Sequence, residues 1–318
     1  MPLLPLVRDR AHYSELFKDN HHWLSAVISI IKKHRLVGDP QRAAFGSHIV
    51  YRVGNCWIKL MAPLFAKDMA YEISGLKAVS NKLSVSTPQI LAEGILEEWR
   101  YVVMSHIEGK PIRDLWKTYS IDSKIKLAAQ IAQILKEIRM CSADGIIQNR
   151  FQWNDFIADQ YINCDIQQRK KSLSEGWLTN LGPFLRSFDL SDFQTAQPVF
   201  IHADLTFDHF LVKAEGTPQV TGVIDMADCQ VGHPEYEWVA PCTFIFKSEP
   251  LALSQFLVGS GFDKTTLNQR FSEKLLAWSI LHRYFSLITW FKEEMAELPA
   301  GDFSQLAARV YPLSSVRI

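Results

Sequence analysis

The sequence predicts an α+β fold of two lobes, a small antiparallel sheet followed by a mainly helical part. Three observations carry that expectation. Strand-like runs crowd the first third of the chain, helical periodicity dominates after residue 111, and a short island of strands interrupts the helices near residue 200. At 318 residues and 47% hydrophobic content the chain is long enough for two substantial cores. Its composition shifts near residues 106–111, so a first lobe over 1–106 and a second over 107–318 are expected.

Taken in order, residues 12–35 place Trp23, Leu24, Val27, Ile28 and Ile31 at helical spacing, which predicts one opening amphipathic helix. From Phe45 the pattern becomes strand-like in SHIVYRV and CWIKLMA, and Gly54-Asn55 between them reads as a tight antiparallel hairpin. Lys59 falls late on the second of these strands. FAKDMAYEISGLKAVSNKL reads as a helix, and Thr87-Pro88 opens two further strands, QILAEGILE and RYVVMSHI. Beyond Gly109-Lys110-Pro111, helices are expected over 111–118, 122–140, about 151–170 and about 176–189. PVFIHADL, HFLVK and QVTGVIDM form the strand island, after which helices run to about residue 296.

Bulk properties narrow the partners. Lysine plus arginine equals aspartate plus glutamate at 34 each, so no global field recruits nucleic acid or an anionic membrane. The five cysteines form no CxxC pair, which points to reduced thiols and a cytoplasmic protein. MPLLPLVRDR breaks its apolar residues with prolines and charges, and no run of about 18 apolar residues follows. Neither export nor a membrane span is expected.

The chemistry concentrates in FIHADLTFDHFLV, residues 200–212. One reading makes His202 and Asp204 metal ligands completed by His233 or His282, as in two-histidine-one-carboxylate sites. Such sites usually need a large β scaffold, and only two or three short strands surround this one. The other reading is phosphoryl transfer, which needs a carboxylate at the acceptor hydroxyl, a metal-holding residue a few positions on, and a second metal carboxylate on a nearby strand. Asp204, His209 and Asp225 stand in that order. A hairpin between the two strands would bring Asp225 beside the Asp204 loop.

HADLTFDH resembles the catalytic loop of the aminoglycoside phosphotransferase and choline kinase-like family, relatives of protein kinases whose loop reads H-G/R-D with an Asn five residues after the Asp. GVIDMADCQVGHPEYEW is similar to that family's next motif, an I-D metal aspartate followed by a G-D-P-x-x-D-like segment. Lys59, Glu72 and the hinge-like YVVMSHIEGKPI extend the resemblance over residues 45–240. It implies a bilobal protein-kinase-like fold and an ATP-dependent kinase using Mg2+, with Mn2+ as an option. Carried over, Asp204 would be the catalytic base and Asp225 would bind the metal. Lys59 would contact the α/β-phosphates and pair with Glu72, backbone groups near Ser105, His106 and Ile107 would bind adenine, and His202 would brace the catalytic loop. Several positions depart from the pattern. His209 replaces the metal-binding Asn, so it either draws the site towards manganese or stays outside the metal's ligand shell, donating a hydrogen bond to phosphate or Asp225. The second option is preferred because phosphates and Asp225 can hold magnesium without it. Ala203 fills the Gly/Arg position, His233 precedes Pro234 where an acid is usual, and Glu237 stands where a structural aspartate is common. The candidate phosphate cover, Ala43 to His48, contains only Gly46. A nucleotide-binding pseudokinase is the alternative, and a protein kinase a further one that the missing D-F-G and A-P-E signatures disfavour.

The expected acceptor is a small hydroxylated molecule: an aminoglycoside-like antibiotic, a sugar or an amino alcohol. Trp238, Trp278, His282, Arg283, Tyr284 and Trp290 lie in the C-terminal helices, where such residues are read as core rather than pocket. EEMAE at 293–297 reads as exposed helix charge before it reads as an acidic rim. Asp208 and Asp228 are expected as hydrogen-bond partners in their loops.

Overall fold

A computed structural model describes residues 2–44, 46–142 and 151–313. The leading segment forms two helices rather than one, α1 (Arg10–Phe17) and α2 (His21–His34). Asp9 caps α1 by accepting from the His12 amide at 2.8 Å. Asp19 accepts from the His21 amide at 2.9 Å, a local bond that competes with helix continuation and marks the break. The apolar repeat that begins at Trp23 belongs wholly to α2.

Strands β1 (Pro40–Arg42), β2 (Ile49–Val53) and β3 (Cys56–Met61) precede helix α3 (Ala66–Val79), and β4 (Ile90–Leu96) and β5 (Trp99–Ser105) follow it. They form one antiparallel sheet in the order β1-β2-β3-β5-β4. The β2–β3 hairpin turns at Gly54, whose φ is +55° and whose added Cβ would lie 2.2 Å from the Val37 carbonyl oxygen. No side chain fits there. Strand alternation then sorts the two faces of β3. Leu60 stands opposite Tyr101, whose hydroxyl meets His34 Nε2 on α2 at 2.9 Å, while Trp23 packs on Trp99 with ring centroids 5.3 Å apart. Lys59, the neighbour of Leu60, therefore leaves from the other face, towards α3.

Next come β6 (Lys110–Pro111), α4 (Ile112–Leu115), α5 (Ile121–Met140), α6 (Trp153–Lys170) and α7 (Glu175–Leu185). The strand island divides between two sheets. Strand β8 (Phe210–Val212) pairs with β6 and with β9 (Val220–Val223), while β7 (Val199–Ile201) pairs with β10 (Gln230–Gly232). The expected β8–β9 hairpin is present, but β7 does not join it, so the 202–209 loop bridges two small sheets. The chain continues through α8 (Val239–Phe244), α9 (Pro250–Gly259), α10 (Gln269–Ile280), α11 (Leu287–Trp290) and α12 (Lys292–Ala296). A further helix, α13 (Phe303–Val310), lies past the expected end of the helical region. Among the described residues no helix is long and apolar enough to cross a membrane.

One close approach positions the site. A Cβ on Gly75 of α3 would sit 2.7 Å from Cys229 Sγ and 2.8 Å from Met226 Cβ. Glycine thus lets α3 lie directly on the turn that follows β9. Glu72 stands one helical turn earlier on the same face of α3, and this docking carries it to Asp225.

Candidate active site

Lys59 Nζ donates to Glu72 Oε2 at 2.6 Å and to Asp225 Oδ1 at 2.9 Å. Burial opposes the ammonium charge, but Asp225 and Glu72 outweigh it and hold Lys59 protonated. Burial alone would lift the Asp225 carboxyl, yet Lys59 and then His209 pull it well below the usual carboxylate range. Glu72, shut away from water, is lifted above that range against the pull of Lys59. Asp225 itself lies two residues past β9 in left-handed backbone, φ +66°, a conformation that costs of order 1 kcal/mol or more for a residue with a Cβ. It re-aims the carboxylate off the strand and into the cleft.

The 202–209 loop is braced from beneath. His202 is fully buried; its Nδ1 accepts from the Asp204 amide at 3.4 Å and its Nε2 lies 3.1 Å from the Ile224 carbonyl oxygen. A carbonyl can only accept, so the proton sits on Nε2 and the ring is neutral. Burial pushes its pKa down to about 4, in keeping with that state. His202 thereby ties the Asp204 loop to the residue before Asp225. Glu237, also buried, accepts from the His202 amide at 2.8 Å and from the Ala203 amide. Glu237→Ala strands two buried donors and should lower unfolding free energy by roughly 2–4 kcal/mol in urea titrations. A loss below about 1 kcal/mol would mean that water replaces the carboxylate.

Asp204 keeps 29% of its side chain exposed. Burial of the rest pushes its carboxyl up to about 7, opposed by His209 and reinforced by Asp228 and Asp225. His209 Nδ1 bonds the Asp204 carbonyl oxygen, and its Nε2 lies 4.0 Å from Asp225 Oδ2. That separation is too long for the hydrogen bond to Asp225 anticipated from the sequence. Burial opposes charge on the His209 ring, but the Asp204 and Asp225 carboxylates outweigh it and raise its pKa. Nδ1 donates to the Asp204 carbonyl, which leaves Nε2 facing the Asp225 carboxylate across one small space.

The alternative metal constellation is not assembled. Both ring nitrogens of His202 are spent, His233 Nδ1 accepts from the Glu235 amide at 3.1 Å, and His282 Nε2 lies 3.3 Å from the Ala203 carbonyl oxygen. Among the described residues no group of three His, Cys, Asp or Glu could hold a metal unaided.

A cleft of about 430 Å³ runs from Lys59, Glu72, His209 and Asp225 to Met104, Ser105, His106 and Ile107. At its far end the Ser105 amide is committed to the Gln89 carbonyl at 2.9 Å and the His106 amide to the Asn55 carbonyl at 3.0 Å. Of the three expected adenine positions, Ile107 alone offers an N–H without a protein acceptor among the described residues. The Gln89 amide bonds Ser105 Oγ at 2.9 Å, so the Ser105 carbonyl is spared that partner. Behind this segment a hollow of about 720 Å³ reaches Asn81 and Thr221, but it contains none of Lys59, Glu72, Asp204 or Asp225. The 43–48 loop lines the cleft and is held from outside, where Tyr13 donates to the Ser47 carbonyl at 3.1 Å; Phe45 lies outside the described residues.

On the other side of Asp204 lie residues the sequence reading assigned to core. Trp278 and His282 are indeed buried, but Arg283 and Tyr284 reach the surface beside Asp228. Arg283 Nη1 lies 3.2 Å from Asp228 Oδ1, and Tyr284 donates to the same oxygen at 3.0 Å. A charged residue in LHRYF at the end of an apolar helix was the available signal. Asp208 pairs with Arg113. In the 293–297 run, Glu293 and Glu297 are exposed, as expected of helix charge, and Glu297 pairs with Arg309; Glu294 alone departs, buried against Lys247 at 2.9 Å.

Residues 52–268 match the model of the phosphotransferase enzyme family, roughly two thirds of the chain. Solved structures of similar shape include the GDP complex of aminoglycoside 2'-phosphotransferase-IIIa. Its identity is 17%, with 94% of this chain and 97% of that one covered and a TM-score of 0.68. The ternary complex of APH(2")-IIa with streptomycin and ATP is 17% identical over 87% of this chain and 97% of that one, TM-score 0.55. APH(4)-Ia is 15% identical over 89% and 95%, TM-score 0.58. At such identities the likeness is one of fold, and the fold is protein-kinase-like.

Proposed function

The chain belongs to the phosphotransferase enzyme family, and from that premise we propose that it transfers the γ-phosphate of ATP to a hydroxyl of a small molecule. The observation that carries this reading is the ion-paired set Lys59, Glu72 and Asp225 at one end of a cleft of nucleotide size, with Asp204 open beside it. In this reading residues 1–106 form the nucleotide lobe and 107–318 the lobe that presents the acceptor. The five free cysteines favour a cytoplasmic setting.

Adenine would lie against Met104 with the Ser105 carbonyl and the Ile107 amide as its polar partners. Lys59 would turn from Asp225 to the α/β-phosphates while Glu72 keeps its ammonium aimed. Asp204 would receive the acceptor's hydroxyl proton as the oxygen approaches the γ-phosphorus, and a carboxyl poised near neutrality suits that transfer. His202 acts through the loop, holding Asp204 in place. A divalent cation fits the space shared by the Asp225 carboxylate and His209 Nε2, because a histidine whose other nitrogen donates to a carbonyl is set up as a ligand. When bound, such an ion neutralises phosphate charge. Magnesium meets this role with oxygen ligands from phosphate and water completing its shell, and manganese accepts the imidazole more readily.

An ATP-consumption screen over hydroxylated metabolites and aminoglycosides, with mass spectrometry for a phosphate adduct, tests the proposal. Metal-dependent nucleotide binding without any adduct would defeat it in favour of a pseudokinase. His209→Asn should retain turnover with magnesium and lose any preference for manganese, because it exchanges a nitrogen donor for an oxygen. Metal titrations identical to those of the parent protein would place His209 outside the ligand shell.

A further inference from the structure

The charge around Asp204 bears on which hydroxyl compound reaches it. Among the groups acting on the Asp204 carboxylate are Asp225 and Asp228 of like sign and His209 and Arg283 of opposite sign. Asp225 is engaged by Lys59 and Asp228 by Arg283. The carboxylates next nearest along the chain are also paired, Asp208 with Arg113 and Glu235 with Lys274 at 3.3 Å. These four acids are thus each held against a cation, while Glu237 beneath the loop is taken up by the His202 and Ala203 amides. A compound carrying several ammonium groups is recognised by unpaired carboxylates, which supply a negative field and charge-assisted hydrogen bonds. None of the four is free to do so, Asp204 itself is reserved for the acceptor hydroxyl, and Arg283 would meet such a ligand with like charge.

What this face offers is different. Asp228, Arg283 and Tyr284 present carboxylate, guanidinium and phenol within one hydrogen-bonded group. Arg283 also lies over the rings of Tyr284, at 4.2 Å, and Phe151, at 5.6 Å. Hydroxyl groups both donate and accept, so a row of them matches a paired acid and base, and an aromatic wall supplies apolar contact to a ring.

Resting on the kinase reading above, we infer that the acceptor is a sugar-like polyol without ammonium groups, held by Asp228, Arg283 and Tyr284, and that polycationic aminoglycosides are excluded. The protein loaded with a non-hydrolysable ATP analogue and magnesium is titrated with kanamycin and gentamicin by calorimetry. Affinity weaker than about 1 mM is expected; micromolar binding, or a phosphate adduct on either compound in the turnover assay, overturns the inference. Phosphate adducts on neutral sugars or alditols support it. Arg283→Glu should raise kanamycin affinity at least about tenfold, a change of about 1.4 kcal/mol, and no gain in a folded variant counts against it. Should that variant fail to fold, Arg283→Met removes the cation while keeping the stem, and an intermediate gain is expected. A fluorescent ATP analogue is bound in parallel by parent and variants. Loss of nucleotide binding in the parent would sink the kinase reading, whereas the aminoglycoside titrations report on the acceptor face alone.

Discussion

Asp204→Asn should reduce phosphate transfer by about 10²- to 10⁴-fold and leave nucleotide affinity unchanged. The amide has nearly the same shape, so the bond from the Asp204 amide to His202 and the loop itself persist, but it cannot take a proton. The carboxylate is also the least constrained acid of the site, partly exposed and without a direct cationic partner closer than His209 at 3.7 Å. The comparison to make is single-turnover transfer against equilibrium binding of ATP. Equal turnover in both proteins would remove Asp204 from the chemistry and move attention to substrate positioning.

Asp225→Ala should separate nucleotide from metal. In the parent protein Asp225 faces the space where phosphates would lie, and without a cation its charge repels them. Removing it should leave metal-free nucleotide affinity intact or improved, since Lys59 loses a competing acceptor. The gain that magnesium confers should fall by more than about 100-fold, the upper end of what losing a mere supporting contact to a ligand costs. Binding titrations with and without magnesium read this directly. A variant that still answers to magnesium as the parent does would show that the ion is held elsewhere.

Much of the sheet and the reactive loop could be read from the chain because their signals are local. Alternation in IVYRV and CWIKLM, with a glycine turn between them, is enough to specify a hairpin, and Asp204, His209 and Asp225 lie within a span that one hairpin folds together. Other features depend on partners distant in sequence. Strand β1 is three residues long and opens on proline, too little for periodicity to register. Strand β7 passes over its neighbours to pair with β10, a choice set by the packing of two small sheets rather than by either segment. The amides of Ser105 and His106 look available until Gln89 and Asn55 are placed beside them. Arg283 and Tyr284 look like core residues among aromatics until the turn after Asp225 brings Asp228 to them. Gly75 was silent as a single glycine in a helix, because its meaning lies in what touches it.

In kinase-like folds the lysine–glutamate pair is a frequent point of control, opened and closed as the glutamate's helix swings. Here that helix rests with its backbone against Cys229 and Met226, with no side chain between to act as a cushion or a lever. Parting Lys59 from Glu72 would require unseating the whole contact, since a rotation of the helix drives its flank into the turn beneath. The lysine–glutamate pair and the docking of α3 therefore form one mechanical unit, and neither is released while the other is kept.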